Sequence, residues 1–163
     1  MERKDTINFL QERLKAYGAN IYNYRGQEFI AIANTNSDNH MAITFSEEEF
    51  AMEFTYQTAR FKYGNEEDGA IHAEKFLTEK LCAVELFLSG KPLMGGSRQT
   101  EGANFKTVEE FAQFYANGND KIAENLLGFM KNGNVTVKIF SWANTYNRSF
   151  EIVVNGDELS IKE

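Results

Sequence analysis

Residues 134–142, NVTVKIFSW, and residues 148–161, RSFEIVVNGDELSI, decide the fold class of this chain. Apolar and polar residues alternate in both stretches, which is typical of β-strands with one buried face. Residues 155–156 are Asn-Gly, the strongest short signal for a hairpin turn. A two-residue turn at this pair places Ile152 opposite Leu159. The C-terminal part of the chain is therefore predicted to form an antiparallel meander that holds the core of a sheet.

The rest of the chain adds further strands and three to four helices. Residues 19–24, ANIYNY, and residues 27–33, QEFIAIA, flank Arg25-Gly26 and predict a hairpin. Apolar residues at helical spacing predict four helices, which are expected to begin near Asp5, Asn65, Thr107 and Ile122, with Asn65 capping its helix.

Residues 46–63, SEEEFAMEFTYQTARFKY, fit two alternatives. As a strand, they place Phe50, Met52, Phe54 and Tyr56 on one face, and their aromatic and β-branched content suits a sheet. As a helix, they begin with a capping box and carry an apolar stripe. The strand is favoured, although the alternation alone does not exclude the helix.

The length of 163 residues fits one domain spanning residues 1–163, because no Pro-, Ser- or Gly-rich linker interrupts the pattern. The expected fold is α+β, with a mostly antiparallel sheet of about six to eight strands packed against three to four helices. We expect those helices to form a single layer on one face of the sheet.

The net charge of −7 argues against nucleic-acid binding, since phosphate backbones are bound by clustered cations. An acidic surface instead favours a basic partner. No apolar run approaches the roughly 18 residues of a membrane span, and the polar N-terminus does not resemble a signal peptide. Cys82 has no second cysteine with which to form a disulfide. A cytoplasmic protein without membrane association is expected.

The sequence offers no catalytic residue, metal site or cofactor site that we can assign. Histidine occurs only at positions 40 and 72, and no metal-binding or nucleophile motif is present. Glu53 and Glu85 interrupt apolar strands and are interpreted as a solvated sheet face. The glycine-rich segment 94–98, MGGSR, is interpreted as a bulge at a sheet edge rather than an anion nest. The protein is therefore expected not to be an enzyme.

Two acidic runs and one aromatic turn are the candidate partner-binding residues. The acidic runs place six negative charges within 22 positions, which suits a basic partner if they converge in space. Trp142, Tyr146 and Arg148 surround an Asn-rich turn, and these residue types are enriched at interface hot spots. The acidic candidates are Glu47, Glu48, Glu49, Glu66, Glu67 and Asp68.

Three segments resemble small bacterial immunity proteins of polymorphic-toxin systems. They are EKFLTEKLCAVELFLSGKPLMGGS at residues 74–97, VKIFSWANTYNRSFEI at residues 137–152 and EFTYQTARF at residues 53–61, about a third of the chain. The resemblance implies an α+β protein that binds and neutralises a cognate toxin domain. In such relatives the aromatic strand often carries histidine, whereas residues 58–60 here are Thr-Ala-Arg, so no functional residue is transferred.

The favoured hypothesis is a non-catalytic binding protein that occludes a basic site on a partner with an acidic and aromatic surface. That partner would be a toxin or, for a phage or mobile-element accessory protein, a host factor. The alternative is a small-ligand-binding or enzymatic domain with an aromatic-lined pocket. An unpaired strand edge, at QEFIAIA or ELSIKE, could also support a homodimer.

Overall fold

A computed structural model of the chain describes residues 2–93, 95–102 and 105–163. In these residues, four α-helices accompany eleven strands, all pairings being antiparallel, which confirms the α+β class. The strands divide between two sheets of five and six, whereas the sequence predicts a single sheet of about six to eight. Strand alternation shows which face is buried but not which strands pair, so the division is not readable from the pattern.

The chain forms two compact units. Unit 1 comprises the residues up to Leu81 together with Ser141–Thr145, and unit 2 comprises Cys82–Phe140 together with Tyr146–Glu163. Each unit contains one sheet and two helices. The expectation of a single domain over residues 1–163 stays a prediction, because the compactness of each unit does not decide whether the two fold together.

Unit 1 begins with helix α1 and a short 3₁₀ turn, followed by five strands in sequential order and helix α2. Gly18 ends the first helical segment at φ +90°, a left-handed conformation that suits glycine. The elements are α1 (Arg3–Leu14), the 3₁₀ turn (Lys15–Tyr17), β1 (Ala19–Tyr24), β2 (Gln27–Ile32), β3 (Met41–Phe45), β4 (Glu49–Phe54), β5 (Gln57–Lys62) and α2 (Glu66–Leu77).

The first hairpin forms as predicted. The two residues of its turn, Arg25 and Gly26, both have positive φ, which matches the right-handed twist of the flanking strands. Tyr22 lies opposite Phe29, and their rings stack with centroids 5.7 Å apart. The segment QEFIAI is an interior strand between β1 and β3, so the expectation that it forms an unpaired edge is wrong.

Residues 46–63 are extended, as favoured, but they form a hairpin rather than one strand. Phe54 pairs with Gln57 across a turn in which Thr55 has φ +56°. Tyr56 lies in that turn and is 60% exposed, so its expected place on the face of Phe50 is wrong. The reversal buries apolar side chains from β4 and β5 on the same face.

One face of this sheet packs against α1 and α2. Phe50 of β4 is fully buried on that face beside Phe61 and Gly69. A Cβ atom at Gly69 would lie 2.6 Å from the Phe50 ring, so the absence of a side chain lets the helix approach the sheet closely. Leu10 and Leu14 of α1 complete this core.

Unit 2 contains a six-stranded sheet with the order β11-β10-β9-β6-β7, and β8 also pairs with β6. Its core joins one face of the sheet to α3 and α4, around Phe111, Met130 and Phe150. The elements are β6 (Cys82–Leu88), β7 (Lys91–Pro92), β8 (Arg98–Thr100), α3 (Val108–Ala116), α4 (Asp120–Lys131), β9 (Val135–Phe140), β10 (Arg148–Asn155) and β11 (Glu158–Lys162).

The C-terminal hairpin forms, but its predicted register is wrong by two residues. Ile152 lies opposite Ile161 rather than Leu159, and Asn155 closes the turn opposite Glu158. The turn is therefore Gly156-Asp157, with glycine at the first position, as a type II′ turn requires. A shift of two residues keeps every side chain on its own face, so the apolar alternation could not detect it. The edge expected at ELSIKE does exist, as β11.

The glycine-rich segment lies at the edge of β6, as expected for a bulge. The chain leaves β6 after Pro92 and rejoins it at Arg98 in a shifted register, while Met94 lies outside the described residues. A Cβ atom at Gly96 would lie 2.7 Å from the Leu93 carbonyl oxygen, which explains a glycine there. Within the described residues, the four helices are too short or too polar to traverse a bilayer.

Candidate functional site

The topology of unit 1 brings both acidic runs to one end of its sheet. Because the strands run antiparallel in sequential order, the β1–β2 turn, the β3–β4 turn and the end of β5 share this end. Glu49 pairs with Lys62 at the end of β5, and α2 begins four residues later. We call this region the turn end and define it as residues 24–29, 44–49 and 63–68.

A direct contact links the two acidic runs. The Tyr63 hydroxyl donates a hydrogen bond of 2.6 Å to the carbonyl oxygen of Ser46. Ser46 precedes Glu47, and Tyr63 lies three residues before Glu66. Partial burial and the neighbouring Glu66 carboxylate raise the pKa of Tyr63, although Arg3 opposes this shift, so the phenol stays protonated at neutral pH. This bond brings the two segments that carry the acidic runs to the same end of the sheet.

Two of the six acidic residues form ion pairs inside unit 1. The Glu49 carboxylate lies 2.9 Å from the Arg60 guanidinium on the adjacent strand. Glu67 lies 2.8 Å from Arg13 of α1, which also pairs with Glu74. These pairs neutralise part of the local charge, and the Arg13 pairs also link α1 to α2.

Glu66 has a structural role, because its side chain is only 4% exposed. Its Oε1 accepts a 2.7 Å hydrogen bond from the Thr6 hydroxyl and a 2.8 Å bond from the Gly64 N–H. Burial alone raises the pKa of Glu66, but these hydrogen bonds outweigh burial and lower it. The expected side-chain cap from Asn65 is wrong, since that side chain makes no capping bond to α2. The Glu66 carboxylate instead anchors the start of the helix.

The other three acidic residues point to solvent. Glu47 and Glu48 lie in the β3–β4 turn, and Asp68 lies in the first turn of α2. All three side chains are exposed. They are therefore the members of the predicted set with which a partner could form new ion pairs.

An apolar groove adjoins the acidic residues at the turn end. Its volume is about 590 Å³. Phe29 and Phe45 form its apolar walls, together with Tyr24, whose side chain is 63% exposed. The other lining residues are Arg25, Gln27, Glu28 and Thr44. Phe45 directly precedes Ser46 and Glu47, so an apolar surface and acidic side chains lie side by side.

Sequence reasoning did not identify this groove. The hairpin predicted at Arg25-Gly26 pairs Tyr22 with Phe29, whereas no local signal pairs Phe45 with this hairpin. The available signal was the two-residue turn at Arg25-Gly26, which fixes which residues share a sheet end. Without the order of the strands, this signal does not place Phe45 beside Phe29.

The aromatic turn residues are divided between the two units. Trp142 belongs to unit 1, where its half-buried ring packs on Phe54 with centroids 5.8 Å apart. Its carbonyl oxygen accepts a 2.9 Å hydrogen bond from the buried Asn34 side chain. Trp142 therefore helps to fasten residues 141–145 to unit 1, and only part of its surface is available to a partner.

Tyr146 and Arg148 belong to unit 2. Tyr146 is 59% exposed, whereas Arg148 forms an ion pair with Glu163 and lies over the Phe150 ring at 4.7 Å. The Arg148 guanidinium also donates a 3.3 Å hydrogen bond to the Phe105 carbonyl oxygen. Arg148 is thus engaged within its own unit.

Both histidines contribute to packing or to loop structure. The Nδ1 atom of His40 accepts a 2.8 Å hydrogen bond from the backbone N–H of Asn34. His72 packs against the rings of Phe61 and Phe76. Burial, reinforced by the charge of Lys75, lowers the pKa of His72 and keeps it neutral at pH 7.

The two glutamates of the apolar strands differ from each other. Glu53 is exposed, as expected for a solvated sheet face. Glu85 is only 2% exposed and accepts a short hydrogen bond from the Ser97 hydroxyl, so the solvated interpretation is wrong for it. The side chains across residues 2–93, 95–102 and 105–163 contain no group of three or more metal-ligating residues that could hold an ion.

Comparison with known proteins assigns no function to the groove and acidic residues of the turn end. No family model, no curated protein and no solved structure matches the chain.

Proposed function

We propose that this protein is a non-catalytic inhibitor that covers a basic site on a partner protein with the turn end of unit 1. This is the mode of action expected from the resemblance to bacterial immunity proteins. Two observations carry the proposal. Exposed Glu47 and Glu48 directly follow Phe45 and Ser46 at the apolar groove, and the Tyr63–Ser46 hydrogen bond brings the segment before α2, which carries exposed Asp68, to the same end of the sheet. A catalytic residue, a metal or a cofactor has no part in this function.

Charge supplies the first step of recognition. The chain carries a net charge of −7, so it attracts a basic protein over long range. The exposed acidic residues at the turn end then orient that partner, since complementary rim charges accelerate association. The three side chains are exposed to solvent in the free protein. An ion pair between one of them and the partner therefore contributes little to affinity unless the interface excludes water.

The groove supplies the apolar contact that charge alone lacks. Stable interfaces bury about 800 Å² on each partner and depend on a few apolar or aromatic anchors. The groove at Phe29 and Phe45 accepts one such side chain from the partner, with Tyr24 beside it. The proposed interface thus has an apolar centre at the groove and an acidic rim at the β3–β4 turn.

The partner is a basic toxin domain or a basic host factor, and both meet the same surface. A cytoplasmic location fits either partner and is part of the proposal.

The test compares three forms of the protein, each expressed with an affinity tag in its native host. The first is the wild type. The second carries Glu47→Lys, Glu48→Lys and Asp68→Lys. The third is a matched control with the same charge change at exposed acidic positions of unit 2, namely Glu124→Lys, Asp157→Lys and Glu158→Lys. Co-purified proteins are quantified by mass spectrometry.

The proposal expects a basic polypeptide that the wild type and the control retain and that the turn-end variant loses by at least about tenfold. Circular dichroism establishes that all three forms are folded. Equal recovery with the turn-end variant and the control contradicts a site at the turn end.

A second candidate function, small-ligand binding, is favoured by the same groove. Its volume of about 590 Å³ falls within the range of ligand pockets, and aromatic side chains line it. Native mass spectrometry of the purified protein decides between the two. A bound molecule that disappears in Phe29→Ser supports the ligand site. A protein of unmodified mass contradicts the ligand site and favours the protein partner.

A further inference from the structure

We propose that strand β1 is a pairing edge and that its occupant is β1 of a second copy of this chain. The inference concerns a different surface from the turn-end acidic residues and does not depend on the proposed function. It begins from a contrast between β1 and the other strands at the edges of the two sheets.

Free strand edges are usually protected by charged residues or proline, which discourage pairing with another chain. In the part of the chain that the structure describes, four of the five edge strands follow this rule. They carry Arg60 and Lys62 in β5, Lys91 and Pro92 in β7, Arg98 in β8, and Glu158 and Lys162 in β11. The exception is β1, whose sequence ANIYNY contains neither a charge nor a proline.

The exposed side chains of β1 are those of a surface suited to pairing. Ile21, Tyr22 and Tyr24 are 38%, 48% and 63% exposed. Tyrosine and isoleucine are strand-forming residues that pair well across strands. Tyr22 also stacks on Phe29 of β2, so it extends an aromatic row that ends at the free edge.

The hydrogen-bonding pattern leaves groups available at this edge. In a two-residue hairpin the residues flanking the turn, here Tyr24 and Gln27, exchange both backbone hydrogen bonds, and the pairs alternate from there. Ile21 and Asn23 therefore direct their N–H and C=O groups away from β2. Ala19 does so too, but its carbonyl oxygen accepts a 3.1 Å bond from Gln11.

A two-fold antiparallel arrangement satisfies these groups. With Tyr22 opposite Tyr22 of the second copy, Ile21 lies opposite Asn23 of that copy, and the two equivalent pairs form four backbone hydrogen bonds. Tyr24 then lies opposite Asn20. The aromatic row continues across the junction from Phe29 and Tyr22 of one copy to the same residues of the other.

Charge favours this arrangement over a parallel one, because each copy carries a net charge of −7. Antiparallel pairing places the two acidic turn ends at opposite ends of the joined strands. In this register the two Tyr24 positions, where the turn ends begin, lie four residues apart along the strands, about 13 Å, which is more than one Debye length at physiological salt. The repulsion between the two turn ends is therefore screened.

The experiment combines molar mass with a cross-link. Light scattering on size-exclusion fractions of the wild type should give about 37 kDa, twice the chain mass of 18.6 kDa. Tyr22→Lys places like charges opposite each other and should give the monomer mass. Thr58→Lys, at an exposed position of the opposite edge strand, is the matched control and should remain dimeric.

Cysteine variants test the register independently of stability. The Cα atoms at position 22 of the two copies would be about 4.5 Å apart, within the range of a disulfide. Tyr22→Cys should therefore form a disulfide-linked dimer under mild oxidation. Asn20→Cys lies on the same face, but its two copies would be at least about 13 Å apart and should not cross-link. The native Cys82 is buried and does not compete.

A monomeric wild type over a concentration series overturns the proposal, and it is the result expected if β1 instead receives a strand of another protein. Equal cross-linking of Tyr22→Cys and Asn20→Cys overturns the register. None of these variants changes Glu47, Glu48 or Asp68, so either failure leaves the proposed function to be judged by its own experiment.

Discussion

The buried carboxylate of Glu66 offers the most direct quantitative test of the structure of unit 1. It joins the start of α2 to α1 through Thr6, whose side chain is fully buried, and to the preceding loop through Gly64. Glu66→Ala removes both hydrogen bonds and leaves the Thr6 hydroxyl without its acceptor.

The expected cost follows from these contacts. A hydrogen bond to a charged group contributes about 1.5–3 kcal/mol, and a buried polar group that loses its partner costs about 1–3 kcal/mol. Water can reach the exposed Gly64 N–H, which recovers part of the loss. We therefore expect Glu66→Ala to lower the free energy of unfolding of unit 1 by about 2–4 kcal/mol. Thr6→Val should cost about 1–2 kcal/mol, and the double variant should cost less than the sum.

The assay is urea denaturation followed by tryptophan fluorescence. Trp142 is the only tryptophan in the sequence, and it packs on Phe54 within unit 1, so its emission reports on the unit that contains Glu66. Asp68→Ala is the matched control, since Asp68 is exposed in the same helical turn and should change stability by less than about 0.5 kcal/mol. A Glu66→Ala effect no larger than that of Asp68→Ala would refute the assigned role of this carboxylate.

Three further predictions concern packing and pH. Gly69→Ala should lower stability by about 1–3 kcal/mol, because its Cβ would lie 2.6 Å from the buried Phe50 ring. Gly128→Ala in α4 meets open space and should raise stability by up to about 1 kcal/mol; thermal melting by circular dichroism compares the two, and equal shifts contradict the packing. Tyr115 has a buried hydroxyl without a hydrogen-bond partner among the described residues, and burial raises its pKa to about 12 despite Arg98. Tyr115→Phe should therefore leave the melting temperature unchanged or raise it, and a clear decrease would show that the hydroxyl is bonded. Burial alone raises the pKa of Glu79, but hydrogen bonds from Ser141, Thr145 and the Ala143 N–H outweigh burial and lower it below 4.5. Its contribution is complete above that pH and is lost as the pH falls through the folded pKa, so the stability difference between wild type and Glu79→Ala should shrink in acid. A difference that grows in acid would contradict this assignment.

Local sequence signals predicted the elements of this fold well and their assembly poorly. The turn at Arg25-Gly26 and the beginning of a helix near Thr107 depend on neighbouring residues alone, and both form as expected. The register predicted for the C-terminal hairpin is wrong because a turn at Asn155-Gly156 and a turn at Gly156-Asp157 leave every apolar side chain on the same face of the sheet. The division into two sheets depends on long-range pairing, which alternation does not encode.

The candidate site shows the same limit. Composition and spacing identified the acidic runs, and the Tyr63–Ser46 contact links the two segments that carry them. Composition and spacing could not show that Glu66 is buried, because its hydrogen bond to Thr6 joins residues 60 positions apart in the sequence. The groove beside Phe45 was missed for the same reason, since its walls come from three strands.

The dependence of association rate on salt tests the central claim most directly. Binding of the co-purified basic polypeptide is measured by stopped flow for the wild type, for the Glu47→Lys, Glu48→Lys and Asp68→Lys variant, and for the unit 2 control. The account predicts a fast rate that falls steeply with ionic strength for the wild type and the control, and a rate at least about tenfold slower at low salt for the variant. Rates that are equal for all three proteins and insensitive to salt would contradict it.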